Sequence, residues 1–266
     1  MLKVLEAIEF NKVFTKGGRT EPWLIQVIVE GERKPYVVKL FKSDEIDNEH
    51  TVAREVFGTA LAMEFDLSIP EPALVNFSPA FINTLPEEVR EIIYFRDERL
   101  KFGSEYCENT TLLKPDLPSQ QINKFIHDLP IIYAFDTLIN NKDRGEYKTN
   151  ILVSTVSEDY YIFDHERAFK NIKKLESELA GNTFSETLTN HVLKKYLHNK
   201  KDKSRLFDTF HNYLRILNVN VLDDYNNELR KHNLHSSELI HLKSYLYTVK
   251  QKADWFVKLL EHSISI

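Results

Sequence analysis

The sequence has few cysteines and no excess of positive charge, and each of these absences excludes a class of protein. It contains one cysteine, Cys107, in 266 residues, so an internal disulfide is excluded and a reducing compartment is favoured. Its 35 lysines and arginines do not outnumber its 40 aspartates and glutamates. The resulting net charge of -5 argues against nucleic acid as the main partner. A hydrophobic content of 42% excludes a disordered chain.

Long apolar runs are also missing. The most apolar stretch, residues 129–139, contains Pro130 and Asp136 and is shorter than the roughly 20 residues that a bilayer-spanning helix needs. Near the amino terminus, Glu6 and Glu9 interrupt the apolar segment that a signal peptide would require. We therefore expect a soluble, cytoplasmic protein without a membrane partner.

The first hundred residues are rich in strand patterns. Apolar and polar residues alternate with strand-like spacing, between turn residues, over residues 4–14, 23–29 and 36–41, with further candidate strands at 73–77 and 92–95. Gly17 and Gly18 form the first turn, which predicts an antiparallel meander. Apolar residues at helical spacing predict one helix over residues 47–65.

The rest of the chain is mainly helical. A long apolar helix pattern, interrupted at Pro130, runs into a polar loop over residues 140–149. Residues 150–153 and 160–163 form a predicted hairpin, and helical patterns continue from residue 172. A β-rich front with one long helix, followed by a helical back half, predicts an α+β, two-lobed fold.

The hairpin brings chemistry-bearing residues together. In an antiparallel pair, the first residue of one strand lies beside the last residue of the other, so Asn150 and Asp164 should meet at one open end. The loop that contains Asp143 leads into the same end. Two carboxylates and an amide are a set that can hold magnesium and receive the proton of an attacking hydroxyl. The sequence therefore predicts a phosphoryl-transfer site.

Four segments, in order, resemble the HipA-like kinase family, bacterial members of the protein-kinase-like fold. They are Tyr-Val-Val-Lys-Leu-Phe from Tyr36, Ala-Arg-Glu-Val-Phe-Gly-Thr-Ala from Ala53, the stretch from Ala134 to Arg144 with the later Thr-Asn-Ile-Leu-Val, and Ile-Phe-Asp-His-Glu-Arg-Ala-Phe from Ile162. The resemblance implies a β-rich nucleotide-binding lobe over residues 1–103 and a catalytic, helical lobe over residues 104–266.

The resemblance also implies roles for single residues. Lys39 would contact the phosphates of ATP, Glu55 would pair with Lys39, and Gly17 and Gly18 would fold over the phosphates. Glu49 lies nearer the centre of the helical stripe and is an alternative partner for Lys39.

In the second lobe, Asp143 would be the catalytic aspartate, and Asn150 and Asp164 would bind Mg2+. The neighbouring Asp136 and Asn141 are expected to hold the catalytic loop by hydrogen bonds. Arg144 is expected to neutralise the site or a phosphate.

The implied activity is an ATP- and magnesium-dependent kinase acting on Ser or Thr hydroxyls of a protein. Because a fold does not fix the acceptor, a lipid or small-molecule alcohol is an alternative substrate. A pseudokinase that binds nucleotide without catalysis is a second alternative, although it would not need Asp143.

Overall fold

The structure is a computed structural model that describes residues 2–15, 21–185 and 188–265. The strands are β1 (Lys3–Val13), β2 (Trp23–Val29), β3 (Glu32–Lys39), β4 (Pro72–Asn76), β5 (Lys101–Glu105), β6 (Thr110–Leu112), β7 (Ile151–Ser154) and β8 (Tyr160–Ile162). The α-helices are α1 (Ser43–Asp47), α2 (Thr51–Glu64), α3 (Pro79–Thr84), α4 (Glu87–Tyr94), α5 (Ser119–Ile122), α6 (Leu129–Leu138), α7 (Ile172–Ala180), α8 (Lys194–His198), α9 (Asp208–Ile216), α10 (Val221–Arg230), α11 (Leu239–Gln251) and α12 (Ala253–Ser263). The fold is therefore mixed α+β, as predicted.

The chain forms two compact units. The first unit comprises Met1–Val56, Pro70–Glu108 and Asp223–Ser236. The second unit comprises Phe57–Ile69, Asn109–Leu222 and Ser237–Ile266.

The first unit is built on a closed five-stranded barrel in the order β1-β2-β3-β5-β4. The predicted meander is present, because β1 pairs antiparallel with β2 and β2 with β3. Parallel pairing of β4 with β1 closes the barrel. Alternate residues of β2 point into the interior, where Trp23, Ile25 and Val27 are fully buried.

Helices α3 and α4 pack against this barrel core. Phe81 and Leu85 are buried in it, and Val89, Ile92 and Ile93 pack on it from α4. The prediction of a strand over residues 92–95 is therefore wrong. These residues end an amphipathic helix, whose apolar side chains recur at three- and four-residue spacing and cover the barrel.

The predicted helix over residues 47–65 is interrupted. α1 ends at Asp47, and His50 has a φ of 53°, a left-handed conformation that cannot continue a right-handed helix. α2 therefore begins only at Thr51.

The second unit contains a three-stranded antiparallel sheet in the order β6-β7-β8. The predicted hairpin is present, with Ile151 opposite Ile162 and Val153 opposite Tyr160. α6 is buried along its whole length, and Pro130 lies in its first turn, where a missing N–H costs no helical hydrogen bond. The predicted long helix is consequently divided into α5, a 3-10 turn and α6.

The carboxyl-terminal helices pack around α6 in the second unit. α7 packs on α11, and both α9 and α12 contribute large buried side chains, Phe210 and Phe256. The Tyr245 hydroxyl donates to the carbonyl of Leu138 at 2.7 Å, which ties α11 to the end of α6. Among the described residues, no helix combines the length and apolar character needed to cross a bilayer.

Candidate active site

Lys39 and Glu55 form the predicted ion pair within the first unit. Lys39 is the last residue of β3, and its side chain points away from the barrel interior that Tyr36 and Val38 fill. Its ammonium donates to the Glu55 carboxylate. The Glu55 side chain is 1% exposed and that of Lys39 is 13% exposed, so the pair is shielded from solvent.

Glu55, and not Glu49, is the carboxylate that the ammonium contacts. The alternative depended on a helix that continued back to residue 47. Because α2 begins at Thr51, Glu49 does not project from its helical face. The glycines Gly17 and Gly18 lie outside the described residues, and their role stays a prediction.

In the second unit, Asp136 anchors the loop that follows α6. Its Oδ1 accepts from Asn141 Nδ2 at 3.2 Å, and its Oδ2 accepts from Arg144 Nε at 2.6 Å. His191 Nε2 lies 2.8 Å from the same Oδ2. Asn141 in turn accepts the Asp143 N–H at 3.2 Å. The expected loop-holding role of Asp136 and Asn141 agrees with these contacts.

The charge state of this cluster follows from its burial. Burial favours the neutral form of Asp136, but Arg144 and His191 outweigh it and lower the pKa of the carboxyl group. Burial lowers the pKa of His191 more than Asp136 raises it. The imidazole is therefore neutral: Nε2–H donates to Asp136 and Nδ1 accepts the Leu193 N–H at 3.2 Å. One carboxylate and one guanidinium balance each other.

Arg144 has only part of the role expected for it. Its side chain is completely buried, so it neutralises Asp136 and is not available to a phosphate. Besides Asp136, the guanidinium contacts the carbonyl of Asn150 and, at 3.5 Å, the carbonyl of Phe163. Because Phe163 N–H also donates to the Asn150 carbonyl at 3.2 Å, Arg144 fastens the loop to the open end of the hairpin.

Asp143, Asn150 and Asp164 come together at that open end. Asn150 Nδ2 lies 3.2 Å from the Asp143 carbonyl oxygen and 3.5 Å from its Oδ2. The side chains of Asp143 and Asp164 are 12% and 6% exposed. The three residues that the sequence placed at one hairpin end are thus neighbours.

The backbone explains the residue types at two of these positions. Asn150 has a φ of 50° and Asp164 a φ of 67°, both left-handed. Asn and Asp tolerate this conformation better than other side chains, apart from glycine. Each residue type therefore suits the backbone turn at the end of the hairpin. Each also offers a side-chain oxygen that can bind a cation.

Lys148 is a site residue that sequence reasoning missed. Its ammonium donates to Asp143 Oδ2 at 2.8 Å and to Asp164 Oδ2 at 2.5 Å, so it bridges the two aspartates. Burial disfavours the charged amine, but Asp164 and Asp143 outweigh it and raise the pKa of Lys148. A lysine between Asp143 and Asn150 in a polar loop was the only signal in the sequence.

Gly58 on α2 lets the chain after Asp164 approach closely. A Cβ atom at this position would lie 2.4 Å from Cβ and 2.6 Å from Cγ of His165. His165 is buried and follows Asp164 directly. The glycine therefore contributes to the position of Asp164 through its neighbour.

The donor set fits a divalent cation of the magnesium type. Asp164 and Asn150 offer a carboxylate and an amide oxygen, the hard ligands that Mg2+ prefers. The position of the Lys148 ammonium between Asp143 and Asp164 indicates that the two carboxylates jointly favour a positive charge there.

The fold is that of a kinase. The structure is similar to the crystal structure of the Helicobacter pylori proinflammatory kinase CtkA, with a TM-score of 0.56 and 13% sequence identity. The alignment covers 99% of this chain and 98% of that chain. At this identity, the likeness concerns the fold alone.

The sequence model of the HipA-like kinase family matches residues 8–256, and the chain belongs to this family. A comparison with curated protein sequences found no match. The family resemblance of the four sequence segments is thereby confirmed, and the protein is a kinase-type phosphotransferase.

Proposed function

We propose that this protein is an ATP- and Mg2+-dependent kinase that phosphorylates Ser or Thr hydroxyls of a protein in the cytoplasm. The observation that carries the proposal is the grouping of Asp143, Asn150 and Asp164 at one hairpin end, with Lys148 bridging the two aspartates. A protein that only bound nucleotide would not need a carboxylate at Asp143.

Each predicted lobe supplies one part of the proposed machinery. We assign residues 1–103 to nucleotide binding, with Lys39 on the α- and β-phosphates and Glu55 holding the lysine in place. We assign residues 104–266 to catalysis. Asn150 and Asp164 would hold the magnesium ion, which, when bound, neutralises phosphate charge.

Asp143 is the group that receives the proton in this proposal. The acceptor hydroxyl oxygen forms a bond to the γ-phosphorus, while the bond from that phosphorus to the β–γ bridging oxygen breaks. ADP leaves with the electron pair of the broken bond, and the Asp143 carboxylate takes the hydroxyl proton. Asn141 and Asn150 orient Asp143 through the hydrogen bonds described above.

The direct test is incubation of the pure protein with labelled ATP and Mg2+, with a cell lysate as the source of acceptors. We expect label on protein serine or threonine, located by mass spectrometry, and none with Asp164→Asn. ATP with Mg2+ at about a hundredfold its Kd should also stabilise the fold by about 2.7 kcal/mol, seen as a rise in Tm.

Other outcomes identify the alternatives. If label is found only on a lipid or on a small alcohol, the acceptor belongs to that class and is not a protein. A Tm rise without transfer to any acceptor identifies a pseudokinase. No Tm rise with ATP and Mg2+ contradicts the nucleotide-binding assignment itself.

A further inference from the structure

A surface groove of about 640 Å³ lies beside Asp143 within the second unit. One wall is the catalytic loop from Lys142 to Lys148, and the other is formed by residues 189–198. Backbone contacts join the walls: Val192 N–H donates to the Arg144 carbonyl at 3.0 Å, and Gly145 forms a β-bridge with His191. An occupant of the groove therefore lies next to the Asp143 carboxylate.

The charged side chains of the groove are mainly basic: Lys142, Lys148, Lys194 and Lys195 against Asp143 and Glu146. Lys148 is already paired with both aspartates of the site. Lys142 and Lys195 are exposed, and Lys194 is half-buried. The chain as a whole carries a net charge of -5, so this groove is a local exception that favours an anionic ligand.

The shape and lining of the groove favour a polypeptide over a small molecule. Small-molecule sites enclose most of the ligand surface and are lined mainly by apolar and aromatic side chains. This groove is open and lined mainly by charged and polar side chains, and the ring of Tyr147 at its edge is fully exposed. Lysines on both walls suit an extended acidic chain.

We propose that this groove binds acidic residues that flank the phosphorylated Ser or Thr of a polypeptide substrate. The inference rests on the proposed kinase function, and it names the class of acceptor for the same site. Lys194 and Lys195 are the recognition residues on one wall, and Lys142 is the recognition residue on the other. The acceptor hydroxyl lies at Asp143.

Binding is tested without catalysis. The probe is a fluorescein-labelled peptide with one Ser between Asp and Glu residues, compared with its Asn and Gln counterpart. Fluorescence anisotropy should give at least about tenfold tighter binding of the acidic peptide, and the difference should shrink as salt is raised. Equal binding of both peptides overturns the inference.

Charge reversal locates the binding surface. Lys194→Glu with Lys195→Glu should weaken acidic-peptide binding about tenfold or more. The matched control is Lys173→Glu with Lys258→Glu, which changes the net charge equally at exposed helical positions of the same unit outside the groove. The control should bind within about twofold of wild type.

Failure of this inference is distinguishable from failure of the kinase assignment. If the wild type transfers phosphate to protein but the groove and control variants lose acidic-peptide affinity equally, the groove inference is wrong and the kinase assignment stands. If neither the wild type nor any variant transfers phosphate or binds ATP, the kinase assignment is wrong. An RNA oligonucleotide that displaces the acidic peptide at lower concentration than the unlabelled peptide also overturns the inference.

Discussion

Two ionic clusters lie side by side in the second unit, and the neighbouring residues Asp143 and Arg144 belong to different ones. In the sealed cluster, Asp136, Arg144 and His191 are at most 1% exposed. In the open cluster, Asp143, Asp164 and Lys148 are 12%, 6% and 35% exposed. Both clusters pair aspartate with a cation, but only the side chains of the second are partly open to solvent.

The two clusters differ in what their cations can do: one holds the loop in place, and the other can exchange its cation. Arg144 has a rigid, planar guanidinium whose donors end on Asp136 and on backbone carbonyls, so the sealed cluster sets the path of the loop. Lys148 is a flexible point charge that is partly open to solvent. Another cation can therefore replace the Lys148 ammonium between the two aspartates, while the sealed cluster keeps the path of the loop.

The largest effect should come from Asp143 in the open cluster. Asp143→Asn removes the proposed proton acceptor but keeps the side-chain volume, so phosphoryl transfer should fall by about a hundred- to ten-thousandfold. ATP affinity should stay nearly unchanged, because in the proposed mechanism Asp143 contacts the acceptor hydroxyl and not the nucleotide. Transfer and nucleotide binding are measured on one preparation, with the exposed Asp116→Asn as control. Full transfer by Asp143→Asn would contradict its catalytic role.

Breaking the sealed cluster should cost stability. Arg144→Gln leaves the Asp136 carboxylate buried without its cation, and the free energy of unfolding should fall by about 3–5 kcal/mol. Urea unfolding measures this. The control is Arg167→Gln, because Arg167 is half-exposed and lies 3.5 Å from Asp143 in the open cluster. It should change stability by less than about 1 kcal/mol; equal losses would remove the distinction between the clusters.

The sealed cluster should also respond to pH. Burial lowers the pKa of His191 below its ordinary value of 6.5, so the unfolded state binds a proton that the folded state does not. The free energy of unfolding is then fully retained above about pH 6.5 and falls as the pH drops below it, by at most about 1.4 kcal/mol per pH unit. His191→Gln should remove this component. Identical pH profiles for the two proteins would exclude the proposed neutral state of His191.

The smallest effect on stability should come from Lys148. Because its side chain is 35% exposed, Lys148→Gln should change the free energy of unfolding by less than about 1 kcal/mol. The variant should nevertheless gain more Tm from Mg2+ alone than the wild type does, because the ammonium no longer competes at Asp164. Lys142→Gln on the same loop is the control. A smaller Mg2+ response in Lys148→Gln would show that Lys148 assists the metal instead of competing with it.

Local patterns predicted the parts of the site that depend on one element or one hairpin. Antiparallel pairing alone placed Asn150 beside Asp164, and the structure has this hairpin. The pairing of Lys39 with Glu55 was implied by the family resemblance, and the structure has this ion pair. The hairpin inference needed only the pairing of adjacent strands, whereas the ion-pair inference needed the order of motifs along the chain.

Predictions failed where distant packing decided the outcome. Residues 92–95 resemble a strand, but they end a helix whose apolar face covers the barrel. Arg144 appeared available for phosphate, but a residue 47 positions further along, His191, helps to enclose the carboxylate that binds it. The helical spacing of Val89, Ile92 and Ile93 was a local signal for the helix, whereas no local signal marks the enclosure of Arg144.

The sequence by itself determined the α+β class, the family and the short-range chemistry, since strand spacing, hairpin geometry and motif order are properties of neighbouring residues. Tertiary structure alone decided which charges are sealed and which are open. Exposure depends on every segment packed around a side chain, and adjacent residues such as Asp143 and Arg144 can differ completely in it. For this reason, only the folded chain assigns Arg144 to the sealed cluster and Lys148 to the open cluster.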